Sequence, residues 1–519
     1  MALCLLFFWK RAGKEGNSMA KNTWMTRSAG ILLPVSSLPS KYGIGTFGKA
    51  AYDWVDFLAQ AKQKYWQVLP LGPTSYGDSP YQSFSAFAGN PYFVDLELLC
   101  EQGLLSTADC ESISWGQRKR QVDYGTIYEH REKLLRKAFE HFADEQALSR
   151  FRKRNKDWVE DYALYMSVKA KMDLKAWNEW DEDIRMRKPE ALKRWGAKCK
   201  EDVEYHIFVQ YLFFEQWKKL KKYANKKGVK IIGDAPIYVA MDSADVWANP
   251  GLFQLDENNV PTEVAGCPPD AFSADGQLWG NPLYRWDVMA KDGFSWWLKR
   301  LKANLTTVDV LRIDHFRGLE SYYAIPYGDT TARNGRWKKG PGKAFVDAIN
   351  NAFGGAAIIA EDLGYLTPAV KRLLKSSGYP GMKVLEFAFD SREESDYMPH
   401  NYQPNCVVYT GTHDNDTVRG WFSTANPEDV ALALEYMGLP DDKDGNWGFI
   451  RAALSSVADL AVIPMQDYLD LGSKARINTP STLGGDNWRW RMKKKHLKPE
   501  LAKKIARMTE LYGRARAEQ

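Results

Sequence analysis

Apolar residues in this chain gather in short runs that end in charge. Val308-Asp309-Val310-Leu311-Arg312-Ile313-Asp314-His315-Phe316 is the clearest of them. Such a run suits a strand covered on both faces, as in a parallel sheet. Arg312 and Asp314 are two apart and therefore point to one side of it. Seven more runs read as strands, at residues 30–34, 65–70, 230–234, 356–361, 382–387, 406–410 and 460–464. Amphipathic stretches separate them, for example residues 50–60, 207–226, 294–305, 343–353 and 368–375. Eight β/α units predict an α/β fold, a closed (β/α)8 TIM barrel, rather than an open doubly wound sheet. No Gly-x-Gly-x-x-Gly run follows the first strand, so a nucleotide-binding fold has no support.

The spacing is uneven. Residues 95–205, between the second and third strands, are charged and helical in pattern and predict a helical insertion riding on the barrel. The expected organisation is a disordered leader over 1–28, first barrel units over 29–94, and the insertion over 95–205. The rest of the barrel with its active-site loops follows over 206–490, then a C-terminal helix and tail over 491–519. No C-terminal β-sandwich is expected. Residues 249–287 are rich in Pro, Gly and Asn and read as a long ordered loop, a feature that is usually functional.

Composition narrows the class only a little. The 519 residues carry 71 basic and 65 acidic side chains, close to balance. Basic clusters at 218–222 and 493–495 are short and read as solvated helix faces, not as a nucleic-acid surface. The six cysteines show no CxxC pair, which fits reduced thiols in a cytoplasmic protein. No segment is long enough to span a bilayer, and Leu3 to Trp9 lacks the order of a secretory signal. The 20 Trp and 26 Tyr serve core packing first, and they also suit a cleft in which flat rings stack on sugars.

The chemistry lies where the runs end. Asp314, Glu361 and Asp414 leave three different strands on one face, where barrel active sites assemble. Three convergent carboxylates suit either a metal site or glycosidic bond chemistry. Metal is the weaker reading, because Arg312 already neutralises one acid, and His315 and His413 show no paired zinc spacing. Glycosyl transfer needs one ionised and one protonated carboxyl. Asp314 beside Arg312 suits the ionised nucleophile, and Glu361, with no adjacent arginine, suits the acid. The two carboxyls should then lie about 5–5.5 Å apart, the separation for retention.

These residues resemble the four conserved regions of the α-amylase clan, with Asp234 in the first. The chain is more closely similar to the 4-α-glucanotransferase family called amylomaltase or disproportionating enzyme, from about residue 30 to residue 492. Gly30-Ile-Leu-Leu-Pro-Val-Ser-Ser-Leu-Pro39, Gly72-Pro-Thr-Ser-Tyr-Gly-Asp-Ser-Pro-Tyr-Gln82 and Trp177-Asn-Glu-Trp180 carry the resemblance, with residues 277–284 and Asn487-Trp-Arg-Trp490. It implies Asp314 as nucleophile, Glu361 as acid/base and Asp414 as transition-state stabiliser. It further implies that Tyr76, Tyr81, Asp234, Trp279, Asn281, Arg312, His315 and His413 bind substrate. The substrates would be maltooligosaccharides and starch- or glycogen-derived glucans, with glucose as acceptor and no cofactor. Plainer readings stand beside these roles. Tyr76 and Tyr81 suit core or turn positions, Trp279 a plug at the barrel end, His315 a strand cap, and Asp234 a hydrogen-bonded brace. Ala271 stands where some relatives carry a tyrosine, which would remove one stacking platform. An α-glucan hydrolase, or a non-catalytic glucan-binding protein, is the alternative.

Overall fold

A computed structural model describes residues 24–75, 77–116, 120–269, 273–364 and 366–515. The leader reading falls mostly on residues 1–23, and the Tyr76 and Ala271 readings on single positions, all outside the described residues.

Each of the eight apolar runs overlaps a strand of one parallel sheet. They are β1 Ser28–Leu32, β2 Tyr65–Gln67, β3 Lys230–Ala235, β4 Val310–Ile313, β5 Ile358–Ala360, β6 Gly381–Val384, β7 Cys406–Tyr409 and β8 Leu460–Pro464. Their order in the sheet is β6-β7-β8-β1-β2-β3-β4-β5, so chain neighbours are sheet neighbours. Two contacts bridge β5 to β6 and close the ring. The Ala360 N–H donates to the Pro380 carbonyl at 2.9 Å, and Asp362 Oδ1 accepts from the Met382 N–H at 2.6 Å.

Alternation along each strand explains why the runs are apolar throughout. Ile232, Val310, Ile359, Val384, Val407 and Val462 meet in one buried cluster inside the barrel. Their neighbours Ile231, Leu311, Ile358, Val408 and Ile463 join the larger cluster beneath the helices. Apart from Lys230 and Lys383, both faces of every strand are therefore dry, as a (β/α)8 barrel requires.

The insertion lies between β2 and β3. Its helices Tyr124–Glu140, Glu145–Arg154 and Val159–Lys171 pack on the helix Lys200–Lys226. Asp144 caps one of them, its carboxylate accepting from the Ala147 N–H at 2.9 Å. The 27-residue helix Lys200–Lys226 runs straight through position 205, so it serves the insertion and the barrel together.

Residues 249–287 are not the extended loop that their composition predicts. They contain the strands Glu263–Cys267 and Gln277–Pro282, which form a four-stranded antiparallel sheet with Ser321–Pro326 and Arg336–Lys339. This second sheet escapes a search for apolar runs because Arg336–Lys339 is short and largely exposed, while Gln277–Pro282 alternates partly buried with exposed positions before its buried end and carries Gly and Pro.

The C-terminal helix Pro499–Leu511 packs on the first barrel helix, Lys49–Gln60. Just beyond it, the buried Arg514 guanidinium donates to the carbonyls of Leu454, Ala458, Ser28 and Ser456 at 2.6, 2.8, 3.0 and 3.0 Å. It thereby ties the end of one helix to the start of β1. Arg514→Ala leaves these buried acceptors without a charged donor and should destabilise the fold by about 3–5 kcal/mol. A lower urea midpoint with unchanged slope would report this; an unshifted midpoint would show that water replaces the side chain.

Candidate active site

The alternation that buries Ile232, Val310 and Ile359 also turns Asp234, Arg312 and Glu361 inward at the strand C-termini, because each lies two residues further on. Asp234 and Arg312 are direct partners across β3 and β4. Arg312 Nη1 donates to Asp234 Oδ2 at 2.6 Å and to Asp314 Oδ1 at 2.8 Å. Its Nε faces Met382 Sδ at 3.3 Å. Tyr81 Oη donates to the same Asp234 Oδ2 at 2.7 Å, and Asp234 Oδ1 is buried without a partner among the described residues. Asp234 thus accepts from both Arg312 and Tyr81.

Asp314 is the first residue past β4, where the chain turns sharply. His315 takes the left-handed conformation, φ 50° and ψ 49°, which costs a non-glycine residue about 1 kcal/mol. That turn brings its N–H to Glu361 Oε2 at 2.7 Å, while Leu363 N–H donates to Oε1 at 2.8 Å. The strained residue thus links the two acids that the sequence singles out. Asp314 Oδ2 has no hydrogen-bond partner among the described residues.

Burial pushes Asp314 up to about 8, against the pull of Arg312 and with added repulsion from Asp234, Glu361 and Asp414. Burial also pushes Glu361 up, opposed by Arg312 and by its two backbone donors. Burial pushes both imidazoles the other way: His315 down to about 4 and His413 below its usual range. Both histidines are neutral at pH 7, each able to donate from one ring nitrogen and accept at the other.

Asp414 lies in the turn after β7. Asn478 Nδ2 donates to its Oδ1 at 2.6 Å, and Arg476 Nη2 donates to its backbone carbonyl at 2.6 Å. His413 stacks on Tyr81 with ring centroids 4.9 Å apart and planes at 12°, and Trp488 lies 5.8 Å from Tyr81. Trp279, carried by the second sheet, meets the His315 ring edge-on at 4.9 Å. Asn281, on the same strand, donates to the Val239 carbonyl at 2.9 Å and exchanges hydrogen bonds with Gln82. Every described candidate is thus within the connected wall around Arg312, Asp314 and Glu361, or on the strand that leads to it. Sequence reasoning missed Asn478 and Arg476, which no spacing rule marks, and gave Trp488 no role although its motif stood out.

Among the described residues, no group of three or more His, Cys, Asp or Glu side chains could hold a metal ion. No described helix is long and apolar enough to cross a membrane.

Comparison with known proteins agrees with this geometry. A family model described as 4-alpha-glucanotransferase matches residues 33–497. The 4-alpha-glucanotransferase of Clostridium butyricum is 53% identical over 484 residues, covering 92% of this chain and 99% of the relative. That of Thermus thermophilus is 47% identical over 499 residues, covering 94% and 99%. The solved structure of amylomaltase from Streptococcus agalactiae in complex with acarbose superposes with a TM-score of 0.92 at 43% identity, covering 94% of this chain and all of that one. With the family match spanning most of its length, the chain belongs to the 4-alpha-glucanotransferase family.

Proposed function

We propose that this 4-alpha-glucanotransferase moves α-1,4-glucan segments between maltooligosaccharides, or from them to glucose, with retention and through a glycosyl ester of Asp314. The observation that carries the reading is the bridge from Arg312 to Asp314 beside a Glu361 held by the N–H of the next residue, His315. Burial is the main influence that raises Asp314; a proton on Glu361 removes one added repulsion, and Arg312 favours the ionised form. In the first step Asp314 Oδ2 forms a bond to the anomeric carbon. The bond from that carbon to the leaving oxygen breaks, and Glu361 gives that oxygen its proton. In the second step Glu361 takes the proton of an incoming sugar hydroxyl, whose oxygen displaces Asp314.

Asp414 supplies the third charge near the oxocarbenium-like centre. Neutral His315 and His413, with Tyr81, Asp234, Arg312, Trp279 and Asn281, form the substrate-binding wall. Trp279 on the second sheet supports transfer over hydrolysis, since an aromatic cover limits water at the intermediate. The family match, with an amylomaltase solved in complex with acarbose among its structures, supports the same substrate class. Free thiols at Cys100, Cys110, Cys199, Cys267 and Cys406 support a cytoplasmic setting.

Incubation with maltotriose alone tests the reading. Glucose and a ladder of longer chains should form while the number of reducing ends stays constant, because each transfer breaks one glycosidic bond and makes one. Rising reducing ends with nothing longer than the substrate would make the enzyme a hydrolase.

A further inference from the structure

A cavity of about 930 Å³ runs along the outside of the barrel, in the seam between the helices Lys200–Lys226 and Ser295–Thr307. Its inner end reaches Asp234 and Tyr81, and its outer part lies under the insertion at Arg154 and Trp158. The catalytic reading gives this outer part no role.

Its lining is strongly basic. Arg154, Lys218, Lys222, Lys299 and Lys302 border it as exposed side chains, and none has a carboxylate partner among the described residues. The acids of the outer part are Asp157 and Glu215. Lys221 is already held, by Asp309 at 3.5 Å and by the Val308 carbonyl at 3.0 Å. The wall opposite is aromatic: Phe87, Trp158 and Phe214 are only partly buried, and Phe87 and Trp158 stack at 6.4 Å with planes at 14°.

Arg300 forms part of the cavity's inner wall and packs over the Trp297 ring, 4.6 Å from its centroid. It is 3% exposed and lines the cavity. Its Nη2 and Nη1 donate to the Pro236 and Ile237 carbonyls at 2.6 and 3.2 Å, yet its buried Nε–H has no partner.

Cations gathered around one recess raise the local concentration of anions, and guanidinium and ammonium groups suit phosphate oxygens. The aromatic wall calls for a ring beside that anion. A neutral glucan would use none of the cations, and a nucleic-acid strand needs an open track rather than a recess between two helices. We propose that the outer cavity binds a small organic phosphate, a phosphate monoester carried on a ring. Such a ligand bears on the reaction through Arg300, which holds the carbonyls two and three residues beyond Asp234.

Calorimetric titration of the full chain with glucose 1-phosphate and with AMP tests this and separates a sugar from a nucleoside as the ring. At least one ester should bind saturably. The double variant Lys218→Glu, Lys302→Glu should weaken that binding about ten-fold or more, as expected when two charge-assisted contacts reverse sign. Its turnover of maltotriose without ester should stay unchanged. Should that variant misfold, Trp158→Ala gives a second reading, with ester affinity reduced about five-fold by loss of the aromatic wall. The proposal is overturned if neither ester binds, or if inorganic phosphate binds as tightly. It is also overturned if the variants bind the ester as well as the parent does, since the ester would then occupy the glucan cleft.

Discussion

Asp314→Asn should lose at least about 10⁴-fold in kcat on any glucan donor, because the amide cannot form the glycosyl ester that divides the reaction into two steps. Glu361→Gln should lose a similar factor on ordinary glucans, for a different reason: nothing protonates the leaving oxygen. A maltooligosaccharide with fluoride at its anomeric carbon tells the two apart. Fluoride leaves without a proton, so Glu361→Gln regains the first step and then stalls, lacking a base for the acceptor. The glycosyl ester on Asp314 should accumulate and appear in the intact mass of the protein. Asp314→Asn should show no such adduct with either donor. An adduct on Asp314→Asn, or no rescue of Glu361→Gln, would put the nucleophile or the acid elsewhere.

The positions of these two acids were legible because the barrel writes them into the sequence. A strand that is dry on both faces must be apolar throughout, so a charged residue at its end stands out. Ile231 and Ile232 serve opposite faces, yet both are isoleucine, and Asp234 breaks the run at the strand's C-terminal end. Strand ends are less legible than strands. Asp314 is one residue past β4, and its place depends on the left-handed turn at His315, which no pattern of polarity announces. The antiparallel sheet was not legible at all as a sheet. Trp337, on its outer strand, is 41% exposed, and Leu278, on Gln277–Pro282, is 39% exposed, so neither strand reads as buried. Asn478 was equally hidden. A lone asparagine 64 residues after Asp414 gives no local signal, and only the fold brings its amide to that carboxylate. What sequence carries well is therefore the layer that faces the core. What it carries poorly is the set of polar contacts between loops, where one hydrogen bond fixes a role and no periodicity supports it.

Arg312→Met separates the structural role of the buried bridge from its catalytic one. The substitution leaves Asp234 and Asp314 facing each other without the cation that joins them, with their side chains 0% and 26% exposed. Breaking a buried pair in this way should cost about 3–5 kcal/mol at pH 8. The sign of the pH dependence follows from linkage. Asp314 in the folded enzyme is already pushed up to about 8, well above an unfolded value of about 4. Folding therefore takes up a proton between these values, so this contribution to stability is full at low pH and fades as pH rises through 8. Arg312 is the largest influence holding Asp314 down. Without it the folded value climbs further, and the variant should be relatively worse at pH 8 than at pH 5. Activity should move the other way. A nucleophile that keeps its proton is inert, so kcat/KM should fall by about 10²–10³-fold near neutrality, as when a preorganised donor is lost. Its rising limb should shift to higher pH. Urea midpoints and kcat/KM, both followed from pH 5 to pH 8, should thus slope in opposite directions in Arg312→Met. Parallel slopes would mean that Arg312 only supports the fold, and that Asp314 is kept ionised by something other than the guanidinium beside it.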